Sequence, residues 1–170
     1  LQPCLSDENV YQKVLKNAKK SLKENPKARI LSISQNDSWA HQLGCQCEKC
    51  RAIDQREGTP MGSLLTFVNR IADDIKGEYP NIMVETIAYR YTRRAPKTVV
   101  PRENVIVRLC SIECCFCHPF TDVNCEKNTS FKKDVEEWGK ITKKYYVWDY
   151  TTNFHKYMLP FPNLHVMRDN

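Results

Sequence analysis

The chain has 170 residues, of which 41% are hydrophobic and 27% are charged, and its formal net charge is +6. This length suits one compact domain, and the composition supports a folded core and excludes wholesale disorder. No apolar run approaches the roughly 18 residues that a membrane-spanning helix needs. The 5 glycines form neither G-x-G-x-x-G nor a P-loop, which excludes the common phosphate-cradling loops.

The first predicted element is an amphipathic helix over residues 7–24. Apolar residues recur there at every fourth position and lysines fill the other face, as in a helix packed on a core. We expect Ser6 to cap this helix and Pro26 to end it. Residues 28–34 are short and apolar, which predicts a buried first strand.

Two further strands follow a polar, cysteine-bearing connection at residues 38–59. The apolar face of residues 64–75 predicts a second helix. Residues 81–89 and 105–110 predict the second and third strands. The link between them, residues 90–104, is long enough for the crossover that joins parallel strands.

The remaining elements complete an α/β pattern. Residues 130–140 predict a helix and residues 145–150 a fourth strand, before an irregular tail. Mostly apolar strands separated by helices or long crossovers indicate a parallel sheet covered by helices. We therefore expect a single α/β domain over residues 1–170.

Cysteine is abundant, with 9 residues in the chain. This density favours an oxidising compartment and therefore a secreted protein, and glycosylation sequons at Asn36 and Asn128 favour the same location. The sequence begins at Leu1 without an apolar leader, so we expect any targeting segment to have been removed or to lie outside it.

We expect the cysteines to form disulfide bonds that staple the loops, with a pairing that the sequence leaves open. They fall into two groups. The first group is Cys45, Cys47 and Cys50, with His41 close before it. The second group is Cys110, Cys114, Cys115 and Cys117, followed by His118. The first group lacks the paired C-x-x-C motifs of a zinc ribbon or zinc finger, so we expect no metal. The alternatives are a zinc site in place of disulfides and a nucleophilic thiol. The disulfide candidates are Cys4, Cys45, Cys47, Cys50, Cys110, Cys114, Cys115, Cys117 and Cys125.

Carboxylates follow three of the predicted strands, where the loops of a parallel sheet converge. Asp37, Glu113 and Asp149 are therefore the predicted catalytic residues, because paired carboxyl groups cleave glycosidic bonds by acid and base or nucleophilic catalysis. Their spacing would set the outcome, about 5–5.5 Å for retention and about 6.5–9.5 Å for inversion.

Aromatic and polar residues accompany these acids at the strand ends. Aromatic side chains there offer flat faces to a sugar ring, although many such residues instead cover a core. The predicted substrate-binding residues are Asn36, Tyr89, Arg90, His118, Trp148 and Tyr150.

Several separated motifs carry a family resemblance. They are SISQND at 32–37, CQCEKC at 45–50, FVNRIA at 67–72, AYRY at 88–91, NVIVRLCSIEC at 104–114, WDY at 148–150 and PFPNL at 160–164. Together they resemble a domain of unknown function found in secreted, mostly bacterial glycoside-hydrolase-like proteins, similar to α-glucuronidase barrels. The resemblance implies that the four strands are roughly strands four to seven of a TIM barrel, with Asp37, Glu113 and Asp149 at the places of its acid and carboxylates.

A closed TIM barrel needs about 250 residues, so we expect a partial, TIM-barrel-like sheet of about four strands. The expected function is carbohydrate binding or hydrolysis by a secreted glycoside-hydrolase-like domain, either active or catalytically degenerate. The alternative is a secreted, non-enzymatic binding or signalling protein on a trimmed glycosidase scaffold.

The expected partner is a carbohydrate or a polyanionic glycan, with a homo-oligomer or an inter-chain disulfide as further alternatives. Arginines near Tyr89 and Tyr91 would also suit nucleic acid, but the other basic residues are spread through the helices. We therefore expect no nucleic acid, no membrane and no cofactor.

Overall fold

The computed structural model of the chain describes residues 2–37, 44–161 and 163–170. Its centre is a four-stranded sheet in the order β1-β2-β3-β4, in which all neighbouring strands run parallel. The strands are β1 (Ile30–Ser32), β2 (Met83–Ala88), β3 (Val105–Cys110) and β4 (Tyr145–Trp148). The predicted α/β class and parallel sheet are confirmed, and β3 has the predicted bounds.

The helices described are α1 (Glu8–Glu24), α2 (Glu48–Glu57), α3 (Met61–Lys76), α4 (Glu126–Ile141) and α5 (Leu164–Met167). Helix α2 lies in the polar, cysteine-bearing connection, for which no helix was predicted, and α4 begins four residues before its predicted start. Helix α2 buries only Cys50 and Glu57, so its sequence has no apolar stripe to reveal it. None of the described helices is long and apolar enough to cross a membrane.

The cap of α1 differs from the prediction. Asp7, not Ser6, caps this helix, and its carboxylate accepts hydrogen bonds from the backbone N–H groups of Asn9 and Val10 at 2.8 and 3.1 Å. The hydroxyl of Ser6 instead lies 2.9 Å from the sulfur of Cys50. The helix therefore begins one residue later than predicted, because the hydroxyl of Ser6 contacts a cysteine of a segment distant in sequence instead of the first turn of α1.

Helices cover one face of the sheet. Val84 and Ala88 of β2 and Val107 and Leu109 of β3 share a buried cluster with residues of α3 and with Trp138 of α4. A second cluster joins α1 to α3 and to Leu31 of β1. The alternate strand positions face the other side, where Ile30, Tyr146 and Trp148 stay 40–49% exposed.

The link between β2 and β3 is held by a buried carboxylate. Glu57 is 1% exposed, and its carboxylate accepts hydrogen bonds from the backbone and hydroxyl of Thr98, each at 2.7 Å, and from the backbone of Val99 at 3.1 Å. Burial alone would raise the pKa of Glu57, but these hydrogen bonds and one from Arg56 outweigh it and lower the pKa to about 2.

The expected disulfide staples are absent, because all nine cysteines carry free thiols in the structure. The sulfurs collect in separate places rather than bridging the two groups. Cys45, Cys47 and Cys50 turn toward Cys4 at the start of the chain, whereas Cys115 and Cys125 lie near His118.

Candidate functional site

A cleft of about 980 Å³ lies at the carboxyl ends of the strands. Residues that follow β2, β3 and β4 line it, which is where parallel α/β sheets gather ligand-binding loops. Its lining includes Asp37, Tyr89, Arg90, Arg108, Cys110, Glu113, Phe116, Trp148, Tyr150, Phe154, His155, Tyr157 and Phe161. Six of the predicted site residues therefore share one cleft: Asp37, Tyr89, Arg90, Glu113, Trp148 and Tyr150.

Aromatic rings form one wall of this cleft. Phe116, Tyr150, Phe154 and Tyr157 pack edge to face in succession, with ring centroids 6.0–6.1 Å apart. The C-terminal tail supplies Phe154 and Tyr157, which are 54% and 72% exposed. These two residues were missed because the tail has no periodic pattern, although its density of aromatic residues was a usable signal.

The tail is fixed against β4 by a side chain. Asn163 is buried, and its amide donates a hydrogen bond to the carbonyl oxygen of Tyr150 at 2.7 Å. This contact spans thirteen positions of the chain and holds the tail beside the strand end. The exposed rings of the tail consequently border the cleft.

Two of the three predicted catalytic acids line the cleft. The hydroxyl of Tyr89 donates to the carboxylate of Asp37 at 3.4 Å. Glu113 forms an ion pair with Arg93 at 3.1 Å, and its side chain is 49% exposed. Arg93 also pairs with Asp134 at 2.6 Å, so it is held firmly between α4 and the loop after β3.

Asp149 is not among the residues that line the cleft. Its carboxylate accepts hydrogen bonds from the hydroxyl of Ser111 at 2.6 Å and from the backbone N–H of Tyr150 at 2.9 Å. These contacts join the ends of β3 and β4. Of the three predicted catalytic acids, the structure therefore brings Asp37 and Glu113 to one cleft and leaves Asp149 outside its lining, and the catalytic roles stay predictions.

A buried ion pair beside the cleft was not predicted from the sequence. Glu85 of β2 is buried and pairs with Arg108 of β3, and the hydroxyl of Tyr146 contacts both side chains. The guanidinium of Arg108 lies 4.5 Å from the ring centroid of Trp148. The sequence signal was a glutamate and an arginine inside apolar strands, since such charges are rarely buried unpaired.

Backbone strain and phenolic groups distinguish the strand ends further. Arg90 has φ of 53°, the only positive φ of a non-glycine residue in the described ranges. Such strain often occurs at functional sites. Burial raises the pKa of Tyr89, and burial together with the neighbouring Cys110 raises that of Tyr150. Both hydroxyls stay protonated at neutral pH and can donate hydrogen bonds.

Two predicted binding residues lie elsewhere. Asn36 does not line the cleft. Its backbone N–H donates a hydrogen bond to the side chain of Gln2 at 3.0 Å. His118 lies with its Nδ1 3.2 Å from the sulfur of Cys115. Sequence spacing placed these residues near strand ends, but neither is among the residues that line the cleft. His41 falls outside the described residues.

The predicted glycosylation at Asn128 conflicts with its position. Asn128 is fully buried, and its amide nitrogen donates to three carbonyl oxygens, those of Cys115, His118 and Pro119, at 2.7–3.1 Å. A glycan on that nitrogen would break these contacts. The structure therefore argues against glycosylation there, while Asn36 is exposed and its sequon ends at Ser38, outside the described residues.

Comparison with known proteins gives a family. Residues 1–170 match the family described as Domain of unknown function (DUF4838). The chain belongs to this family. No curated protein and no solved structure matches this DUF4838 domain. A likeness to glycoside hydrolases therefore stays a prediction from the sequence motifs.

Proposed function

We propose that this DUF4838 domain binds carbohydrate in the cleft at the carboxyl ends of its strands and cleaves a glycosidic bond there. The observation that carries the proposal is the sharing of one cleft by an aromatic wall and two carboxylates, Asp37 and Glu113. Sugar rings stack on aromatic faces through their C–H groups, while their hydroxyls need polar partners.

The charges of the cleft favour an acidic sugar. Arg90 and Arg108 both line it, and a guanidinium attracts the carboxylate of a ligand. Arg108 already pairs with Glu85 and donates to Tyr146, so it can offer a ligand only its remaining N–H groups. A glycan bearing uronic acid therefore suits the site better than a neutral glycan of the same length.

The two acids suit different roles in hydrolysis. One carboxyl group must protonate the leaving oxygen, and the other must activate water or attack the sugar carbon. We assign the second role to Glu113, because its ion pair with Arg93 is made by the charged carboxylate. Asp37 is then assigned the role of the acid, for which its carboxyl group must carry a proton when the substrate is bound.

A non-enzymatic binding protein is the second candidate. It is favoured by Asp149, whose carboxylate is engaged by Ser111 and Tyr150, and by the ion pair that occupies Glu113. On this alternative the aromatic wall binds a glycan and no bond is cleaved. In both cases, secretion stays a prediction of the cysteine-rich composition.

Binding is tested by isothermal titration with oligosaccharides that carry uronic acid and with neutral ones of the same length. Tyr157→Ala should weaken binding about two- to thirteenfold, since an aromatic contact contributes about 0.5–1.5 kcal/mol. Met158→Ala is the matched control, because this neighbour is 95% exposed and does not line the cleft. Equal weakening by both variants, or no binding of any oligosaccharide, contradicts the proposal.

Turnover is tested on aryl glycosides and aryl glucuronides. Asp37→Asn and Glu113→Gln should each abolish most activity, whereas Asp149→Asn should retain it if the folded fraction is unchanged. Turnover that survives both cleft substitutions contradicts the assigned roles. Binding without any turnover by the wild type selects the non-enzymatic candidate.

A further inference from the structure

Four cysteine sulfurs meet at a place that the cleft does not use. The sulfur atoms of Cys4, Cys45, Cys47 and Cys50 all lie within 4.8 Å of one another. Those of Cys4 and Cys47 are 3.6 Å apart. Cys50 is buried, and Cys4 comes from the segment before α1, more than forty positions away from its partners.

The spacing of these sulfurs matches a metal better than a disulfide. A disulfide requires an S–S distance of about 2.05 Å. In a tetrahedron with Zn–S bonds of about 2.3 Å, the sulfurs are about 3.8 Å apart. The distance between Cys4 and Cys47 is close to this edge, and the remaining distances need only small side-chain adjustments.

Hydrogen-bond donors surround the sulfurs and would stabilise thiolate charge. The hydroxyl of Ser6 lies 2.9 Å from the sulfur of Cys50 and 3.4 Å from that of Cys47. The backbone N–H of Cys50 donates to the sulfur of Cys47 at 3.5 Å. Cys47 is also the N-cap of α2, where the helix dipole favours negative charge.

We propose that Cys4, Cys45, Cys47 and Cys50 bind one structural Zn²⁺ ion. Four thiolates complete a tetrahedral shell and leave no open position, which is the arrangement of structural rather than catalytic zinc. Zinc is favoured over magnesium or calcium because sulfur ligands select soft and borderline metals. The proposal does not depend on the activity of the cleft.

The metal would join three parts of the fold. Cys4 precedes α1, Cys45 lies in the connection after β1, and Cys50 lies in the first turn of α2. Zinc therefore joins the N-terminal segment to the start of α2, and its loss should lower thermal stability.

The experiment measures zinc in the 170-residue chain purified under reducing conditions, by mass spectrometry of the metal. Cys4→Ser and Cys47→Ser should each lose about one equivalent of bound zinc. Cys117→Ser is the matched control, because this exposed cysteine belongs to neither group of clustered ligands, and it should keep the metal. Cys47→His should also keep it, since imidazole is a zinc ligand.

Cobalt and thermal measurements keep the test decisive if a variant fails to fold. Wild-type protein reconstituted with Co²⁺ should show the intense visible absorption of tetrahedral cobalt thiolate, and a strong chelator should lower its melting temperature. The proposal is overturned if the reduced wild type binds no zinc, if iron is the metal bound, or if Cys117→Ser loses as much zinc as Cys47→Ser. Peptide mapping that finds these four sulfurs as two disulfides, with no zinc uptake after reduction, also overturns it.

Discussion

Arg108 of β3 forms an ion pair with Glu85 of β2 on the sheet face opposite the helices. The Glu85 side chain is 2% exposed and that of Arg108 is 22% exposed. Arg108 also donates through Nε to the hydroxyl of Tyr146 at 2.8 Å and stacks on Trp148. This buried pair thus connects the middle of the sheet with Trp148, which lines the cleft.

Arg108→Met should lower the free energy of unfolding by about 3–5 kcal/mol, because it leaves the charge of Glu85 buried with only the Tyr146 hydroxyl. The double variant Glu85→Gln with Arg108→Met should recover part of this loss. Urea unfolding measures both. Lys132→Gln is the control, since it breaks an exposed pair with Glu136 and should change stability by less than about 1 kcal/mol. A loss for Arg108→Met no larger than the control contradicts the buried-charge argument.

The buried carboxylate of Glu57 predicts a specific pH dependence. Its pKa of about 2 in the folded protein lies below the unfolded value of about 4.3. The stability it contributes is therefore fully present above the unfolded pKa and is lost as the pH falls from about 5 toward 2. Glu57→Gln should be less stable by about 1.5–3 kcal/mol at neutral pH and should lose less stability on acidification.

Urea unfolding at a series of pH values checks this dependence. Glu136→Gln is the control, because Glu136 is exposed and its removal should leave the acid dependence nearly unchanged. Parallel pH curves for the wild type and Glu57→Gln would mean that the hydrogen bonds to Thr98 and Val99 do not favour the charged carboxylate.

Two glycines should respond to alanine in opposite directions. A Cβ atom on Gly62 would lie 2.7 Å from the Cβ and Cγ atoms of Glu57, so Gly62→Ala should cost about 1–3 kcal/mol through overpacking. Nothing lies within 4 Å of a Cβ on Gly77, whose φ is −65°. Gly77→Ala should therefore raise stability by about 0.4–1 kcal/mol. Thermal unfolding compares them, and a neutral Gly62→Ala contradicts the close packing of α2 on α3.

The side chain of Asn128 should be essential for the loop after β3. Its carbonyl oxygen accepts from the backbone of Cys115 at 2.8 Å, and its amide donates to carbonyl oxygens of the same loop. Asn128→Ala should cost at least about 2 kcal/mol, because buried polar groups lose their partners. Asn124→Ala, at an exposed neighbour, should have little effect in the same unfolding assay.

The same geometry predicts the glycan pattern. After expression through a eukaryotic secretory pathway, peptide mass analysis should find Asn128 unmodified, because the folded protein has no space for a sugar on its amide. A glycan at Asn128 in correctly folded protein would contradict the buried position of this side chain.

Local patterns were sufficient for part of the site. Tyr89, Arg90, Glu113 and Trp148 were placed at the cleft because each comes at or just after the end of an apolar strand, and parallel strands deliver their carboxyl ends to one edge. Asp149 failed this rule, since its carboxylate turns to Ser111 of the neighbouring strand's loop. The position of a residue at the end of a strand decides at which edge of the sheet it lies. It does not decide in which direction its side chain points.

The sequence by itself determined the parallel α/β sheet, the bounds of β3 and most of the strand-end residues, because apolar periodicity and strand spacing are local properties of the chain. Only the tertiary structure decided that α2 is a helix, that Phe154 and Tyr157 border the cleft and that Cys4 meets Cys45, Cys47 and Cys50. These outcomes depend on contacts between segments far apart in sequence, and no local pattern records which distant partner a polar helix, an irregular tail or a thiol will find.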